Sequence, residues 1–173
     1  PLIDLSKIPP FARYLTLSLL VVHIALSFIV PEDMRLWLTY TLAFKPADLW
    51  VLANFDFSGA HTVLTYSLIH GSWTHLFFNV IMAVTIGMVY EKFSSTRQAL
   101  SLFVLATIGG ALAQFLVSPF FGDGILIGAS GGLSGLFAAA ILTLQKIESG
   151  ISGGRKQARS ILIFWVVLTV GIG

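Results

Sequence analysis

The chain has 173 residues, of which 56% are hydrophobic and only 10% are charged. A typical soluble domain carries about 25% charged residues, so this composition excludes an ordinary soluble protein and indicates a lipid bilayer as partner. The net charge of +2 gives no reason to expect a nucleic-acid partner. The absence of cysteine excludes disulfides and thiolate sites.

Five apolar segments, taken in chain order, are predicted to be membrane-spanning helices. They cover about 11–30, 73–90, 99–117, 125–144 and 161–173 onward, and the last is still apolar where the sequence stops. A helix of about 20 residues crosses a hydrocarbon core roughly 30 Å thick. Residues 31–71 are amphipathic and aromatic, which favours short interfacial helices in a first outer loop. We therefore predict an all-α polytopic membrane helical bundle, with a single domain over 1–173.

The basic residues predict the orientation of this bundle. When the loops are numbered alternately, two of the ten Lys and Arg fall on one side, Arg35 and Lys45. The other side holds Lys7, Arg13, Lys92, Arg97, Lys146, Arg155, Lys156 and Arg159. Because basic residues stay in the cytoplasm, we expect a cytoplasmic N-terminus and an outward-facing 31–71 loop. With no transit peptide in the sequence, the expected location is a bacterial inner membrane.

The head of the fourth predicted span carries a hydroxyl among glycines. Ser130 is flanked by Gly128 and Gly131, and the spacing Gly128/Gly132 or Gly131/Gly135 is typical of close helix packing. The alternative is a reactive serine whose surroundings are kept free for a substrate, because glycine lets another backbone approach. The segment itself is compatible with both interpretations.

A second polar cluster lies near the outer end of the second predicted span. His75 and Asn79 are four residues apart and so lie on one helical face. Their span and that of Ser130 both run from outside to inside, and the three residues lie at similar depth. Polar groups inside a membrane are costly unless they are paired or hydrated, so we expect a shared hydrated cavity.

These residues together resemble the rhomboid family of intramembrane serine proteases. The family pattern has two histidines five residues apart, here His70 and His75, and an asparagine four residues later, here Asn79. It also has a Gly-x-Ser-Gly that opens the fourth membrane helix, here the stretch 128–131. The resemblance implies a rhomboid-like fold with six core helices, of which this chain holds five.

The resemblance also implies a role for each matching residue. Ser130 would be the nucleophile, and the side chains of His75 and Asn79 would form the oxyanion hole with the Ser130 N–H. His70 would be a structural residue at the cavity mouth, and Gly128 and Gly131 would shape the cavity around the serine. Glu91 matches an acidic residue that ties helix ends together, although a solvated turn residue is the alternative.

The sequence departs from the family pattern at three places. His61 and Thr62 stand where a Trp-Arg pair is common, so the usual anchoring of the outer loop is in question. Ser134 replaces an aromatic residue and, lying in its own Gly-Leu-Ser-Gly, is a rival nucleophile. No histidine follows Ser130, whereas the family takes its base from an Ala-His-x-x-Gly motif on the sixth helix. We expect a chain truncated before that helix and inactive by itself.

The function implied for the parent protein is that of an intramembrane serine endopeptidase. It would cleave transmembrane segments of single-span membrane proteins near the outer face through a Ser–His dyad, with no cofactor and no metal. The alternative is a non-proteolytic rhomboid-like pseudoprotease that binds membrane clients. A small transporter or channel is disfavoured, because the spans show neither intramembrane charges nor broken helices in paired halves.

Overall fold

The computed structural model describes residues 7–53, 55–122 and 124–148, together with residues 160, 163 and 165. Within these ranges the regular structure is helical, and the predicted all-α fold is confirmed. The helices are α1 (Pro10–Ile24), α2 (Glu32–Leu42), α3 (Pro46–Ala53), α4 (Thr62–Thr65), α5 (Trp73–Phe93), α6 (Thr96–Phe121) and α7 (Ser130–Glu148). A π-helical turn (Ala25–Ile29) extends α1, and a 3-10 turn (Tyr66–Leu68) follows α4.

Three stretches of the described chain are long and apolar enough to cross a membrane, namely Pro10–Ile29, Trp73–Phe93 and Thr96–Phe121. They coincide with the first three expected spans, but α6 does not end before Pro119 as expected. The Ser118 hydroxyl donates to the Phe115 carbonyl at 3.0 Å, the carbonyl to which Pro119 cannot donate because it has no N–H. The helix ends at Gly122, whose φ of +92° few other residues adopt.

The helix of the fourth predicted span, α7, begins at Ser130, five residues later than the expected start at residue 125. Before it, Leu126 exchanges two backbone hydrogen bonds with Phe44, at 2.8 and 3.1 Å, which holds the chain extended. Gly128 then adopts a φ of +104° and turns the chain into α7. The expected fifth span, 161–173, lies outside the described residues apart from positions 163 and 165.

Short helices occupy the predicted outer loop, as expected, and polar side chains tie them together. The Thr62 hydroxyl donates to the Asp48 carboxylate at 2.8 Å, which joins α4 to α3. The His61 ring lies 3.0 Å from the Thr41 carbonyl at the end of α2. The two residues that replace the common Trp-Arg pair therefore anchor the loop through contacts of their own.

Helix α7 packs against both α5 and α6, while α1 packs against α5. The interface of α6 and α7 is made by small residues, because a Cβ on Gly132 would meet the ring of Phe103 and one on Gly135 would meet the side chain of Ala106. The packing interpretation of the glycines thus holds within α7. Outward-facing side chains such as Leu105 and Leu116 stay exposed, as expected of a surface that lipid covers.

Candidate active site

Ser130 is the first residue of α7 and is half-buried. Its position follows from the turn at Gly128, which allows the chain to enter the helix after the extended segment. The free N–H groups at a helix N-terminus carry a partial positive charge, so Ser130 lies where a developing negative charge is stabilised. Among the described residues, no side chain hydrogen-bonds to the Ser130 hydroxyl.

The His75 imidazole lies directly against Gly128, two residues before the serine. A Cβ at position 128 would be 2.5 Å from His75 Nε2, so any side chain there would displace the ring. The hydroxyl of Ser72 accepts the backbone N–H of His75 at 3.1 Å and caps the start of α5. The structure therefore brings one predicted oxyanion donor to the entrance of α7.

Asn79 lies one turn further along α5 and is only 5% exposed. Its side-chain amide donates to the backbone carbonyl of His75 at 3.0 Å, which fixes its orientation towards the same end of the helix. An asparagine amide carries two N–H donors, so one remains after this contact. Helices α5 and α7 pack together, and the His75 ring contacts Gly128 where the two helices begin.

Tyr66 is a residue of this site that the sequence analysis did not single out. Its side chain is fully buried, and its hydroxyl donates to the Thr107 carbonyl of α6 at 2.8 Å. Its backbone carbonyl accepts the N–H of Gly128 at 2.9 Å. Cβ atoms at Gly110 and Gly131 would lie 2.6 and 2.7 Å from the phenolic oxygen. Tyr66 thus contacts the chain on both sides of Ser130.

A signal for Tyr66 exists in the sequence, although it is indirect. Glycines recur on two successive apolar segments, at Gly110 and Gly131, and such glycines leave room for either a helix or a large side chain. A tyrosine preceding the two histidines is a candidate to fill that room, because a buried phenol needs a hydrogen-bond acceptor. Only the three-dimensional contact distinguishes it from the other aromatic residues of the outer loop.

Ser134, the rival nucleophile, is engaged by another residue. The indole N–H of Trp165 donates to its hydroxyl oxygen at 2.9 Å. The Trp165 ring stacks on Phe137 with centroids 4.3 Å apart, so the same tryptophan also contacts the next turn of α7. Ser134 therefore takes part in the packing of Trp165 against α7.

His70 is buried beside the site and contacts two other histidines. Its ring centroid is 5.0 Å from that of His75 and 6.4 Å from that of His23, both with the rings edge to face. Neither ring nitrogen of His70 has a hydrogen-bond partner in the described structure. Burial, together with the smaller effect of charge repulsion from the imidazoles of His75 and His23, lowers the pKa of His70 to about 4. His70 is therefore neutral at physiological pH.

Glu91 is buried at the opposite end of α5. Its carboxylate accepts the backbone N–H groups of Phe11 and Ala12 at 3.1 and 2.9 Å, at the start of α1. It also accepts the Thr96 hydroxyl at 2.8 Å, at the start of α6. A negative charge at two helix N-termini is favourable, so Glu91 links three helices. It is 9% exposed and is not a solvated turn residue.

Within the described ranges, no three His, Asp or Glu side chains are grouped as metal ligands. The candidate site offers a serine hydroxyl at a helix N-terminus, with imidazole and amide groups on the adjacent helix α5.

The comparisons with known proteins agree with this architecture. The model of the Rhomboid domain family matches residues 58–173. The chain belongs to the rhomboid family. It is 31% identical over 105 residues to RHOMBOID-like protein 5 of Arabidopsis thaliana, covering 61% of this chain and 33% of that protein. It is 26% identical over 117 residues to "Putative rhomboid protease YdcA" of Bacillus subtilis, covering 64% and 58%.

This rhomboid chain thus spans between a third and just over half of the two relatives. It is an integral membrane protein with a rhomboid-like helical bundle. The matched region contains the polar cluster of α5, all of α6 and the serine at the start of α7.

Proposed function

We propose that the full-length protein is an intramembrane serine endopeptidase with Ser130 as the nucleophile. The observation that carries this proposal is the contact between the His75 ring and Gly128 at the entrance of α7. It brings a side-chain N–H donor next to a serine that also has the free N–H groups of a helix start. The engagement of Ser134 by Trp165 supports Ser130 as the better of the two serines.

The proposed reaction is acyl transfer. Ser130 Oγ attacks the scissile carbonyl, and a histidine base takes the hydroxyl proton. The carbonyl oxygen becomes negative and accepts hydrogen bonds from His75, Asn79 and the Ser130 N–H. Each such donor contributes about 10²–10³ in rate. The base then protonates the leaving amine, and water releases the acyl group from Ser130.

The family pattern places that base in an Ala-His-x-x-Gly motif on a sixth helix, and the 173 residues contain no such motif. The proposal therefore concerns the protein with that helix. The expected substrates are single-span membrane proteins cleaved near the outer face of a bacterial inner membrane. In this orientation the N-terminus is cytoplasmic and the cavity faces outward, as the distribution of basic residues favours.

A pseudoprotease that binds membrane clients is the second candidate. The observation that favours it is the close packing of α7 on α6 through Gly132 and Gly135, which is the use of small residues in a helix interface. In that case Ser130 is a small residue of the helix interface, and the polar groups of α5 hold water or a client segment.

The test is labelling of the full-length protein in detergent with a fluorophosphonate probe, together with cleavage of a model single-span substrate. We expect labelling and cleavage in the wild type and in Ser134→Ala, the matched control, and neither in Ser130→Ala. Labelling that persists in Ser130→Ala would refute the nucleophile assignment. A folded wild-type protein that is neither labelled nor active would refute the protease assignment.

A further inference from the structure

A partly open cavity of about 300 Å³ lies apart from the serine, between the end of α1, α2 and the start of α5. Its walls include His23, Ser27, Arg35, Thr39, His70 and Trp73. A water molecule occupies about 30 Å³ of liquid, so this space is much larger than a single-water site.

Two imidazoles in the wall lack hydrogen-bond partners. His23 Nε2 and both ring nitrogens of His70 are buried and unpartnered, and each residue is only 6% exposed. A neutral imidazole has one N–H donor and one acceptor nitrogen, and leaving them unpaired inside a protein is costly. These nitrogens are buried away from the cavity, so the polar contacts open to an occupant come from the hydroxyl side chains and the guanidinium of the wall.

The charge of the wall selects the kind of occupant. Arg35 is the one permanent cation that lines the cavity, and none of the described lining residues is acidic. Its ion pair with Glu32 is long, at 3.6 Å, and the Glu32 side chain is 81% exposed. Such surface pairs are weak, so the guanidinium is available to another anion. A guanidinium with neighbouring hydroxyl groups matches the oxygens of a phosphate group.

The rim of the cavity is apolar and uncovered. Phe28 and Ile29, at the end of the first span, are 75% and 76% exposed. Leu36 and Trp37 on α2 are 62% and 63% exposed. An occupant with a phosphate in the cavity and hydrocarbon along this rim would satisfy both surfaces. An anionic phospholipid has this chemistry.

We propose that the cavity binds the phosphate of an anionic phospholipid, with the Arg35 guanidinium as its main contact and the apolar rim under its acyl chains. Arg35 lies on α2. Further along the chain, α4 and the turn after it lead to His70 and then to His75 in the first turn of α5. A bound lipid would thus join α1, α2 and α5 on the side of the bundle where the His75 ring lies. The proposal does not depend on protease activity.

The test is native mass spectrometry of the full-length protein released from a mild detergent, with phosphatidylglycerol or phosphatidylcholine added in defined amounts. We expect one tightly retained phosphatidylglycerol and weaker retention of phosphatidylcholine, whose choline cation offsets the charge of its phosphate and lies near the Arg35 guanidinium. Arg35→Gln should weaken phosphatidylglycerol binding about tenfold, the usual effect of losing one charge-assisted contact. Arg97→Gln, with the same charge change at the start of α6, should bind as the wild type does.

Two further arms identify the source of the phosphate and the location of the site. Inorganic phosphate at millimolar concentration should not displace the lipid; displacement would overturn the lipid assignment in favour of free phosphate. Ser27→Leu, which fills the cavity from α1, should also weaken binding. Equal phosphatidylglycerol binding by the wild type, Arg35→Gln and Ser27→Leu would refute the site, since water alone would then occupy the cavity.

Discussion

Replacing Gly131 by alanine tests whether the Tyr66 phenol lies against Gly131, next to the candidate nucleophile. The added Cβ would lie 2.7 Å from the phenolic oxygen, closer than such atoms approach without displacement. Its other neighbours, Gly110 Cα at 3.6 Å and the Ala106 carbonyl at 3.9 Å, are at ordinary contact distances. One atom therefore causes the whole clash, and that atom is removed by Tyr66→Phe.

The magnitudes follow from these contacts. Overpacking in a buried interface costs about 1–3 kcal/mol, and the helix preference for alanine over glycine returns up to about 1 kcal/mol. Tyr66→Phe loses the hydrogen bond to the Thr107 carbonyl, which is worth about 1 kcal/mol. In the Tyr66→Phe background, Gly131→Ala should be neutral or slightly stabilising. The double-mutant cycle then gives a coupling free energy of about 1–3 kcal/mol.

The assay is reversible unfolding in mixed micelles that contain an increasing fraction of a denaturing detergent. Far-ultraviolet circular dichroism measures the loss of helix. Gly109→Ala is the matched control, because a Cβ at Gly109 has no neighbour within 4 Å. We expect it to stabilise both backgrounds equally, by up to about 1 kcal/mol. If Gly131→Ala destabilises the wild type and the Tyr66→Phe variant to the same extent, the phenol does not occupy the position described.

Two other predictions concern buried titratable groups and use the same unfolding assay. Glu91→Ala should lower the free energy of unfolding by about 3–5 kcal/mol, because buried N–H groups at the start of α1 lose their acceptor. The control Glu32→Ala should lower it by less than about 1 kcal/mol, because that side chain is exposed. Equal losses in the two variants would contradict the link between Glu91 and α1. His70 has its pKa lowered from 6.5 to about 4 in the fold, so the unfolded chain binds a proton first and stability should fall as pH decreases from about 6.5 to 4. The loss in free energy of unfolding should approach about 3 kcal/mol. His70→Gln should remove that part of the pH dependence. An unchanged pH profile in this variant would be evidence against the buried neutral ring.

Hydrophobic length predicted the first three spans well, because a membrane-spanning segment must satisfy its own backbone hydrogen bonds and so must be helical. The start of α7 was predicted five residues too early for a local reason. Ile125 and Leu126 are apolar and continue the hydrophobic run, but Leu126 pairs with Phe44 about eighty residues away in sequence. A contact of that range leaves no periodic signal in either segment.

The same limit explains which site residues were predicted. His75 and Asn79 follow from a spacing of four residues, which is a local property of a helix. Tyr66 was missed because its three partners lie on α6 and on both sides of Ser130, and no spacing encodes them. Glu91 could be matched to a motif, but its contacts with the start of α1 depend on how α1 packs against α5.

The two interpretations of the glycines around Ser130 are both correct, because some of these glycines allow α7 to pack on α6 and others leave room for the side chains of the candidate site. Gly132 and Gly135 bring α7 against α6, and this close approach leaves the Tyr66 phenol only the space between Gly110 and Gly131. The same tyrosine holds Gly128 through its backbone carbonyl, and Gly128 in turn leaves room for His75. The position of the His75 ring relative to the start of α7 is therefore a consequence of helix packing. A side chain at any of these glycines would displace the elements that position Ser130, even where it does not touch the serine.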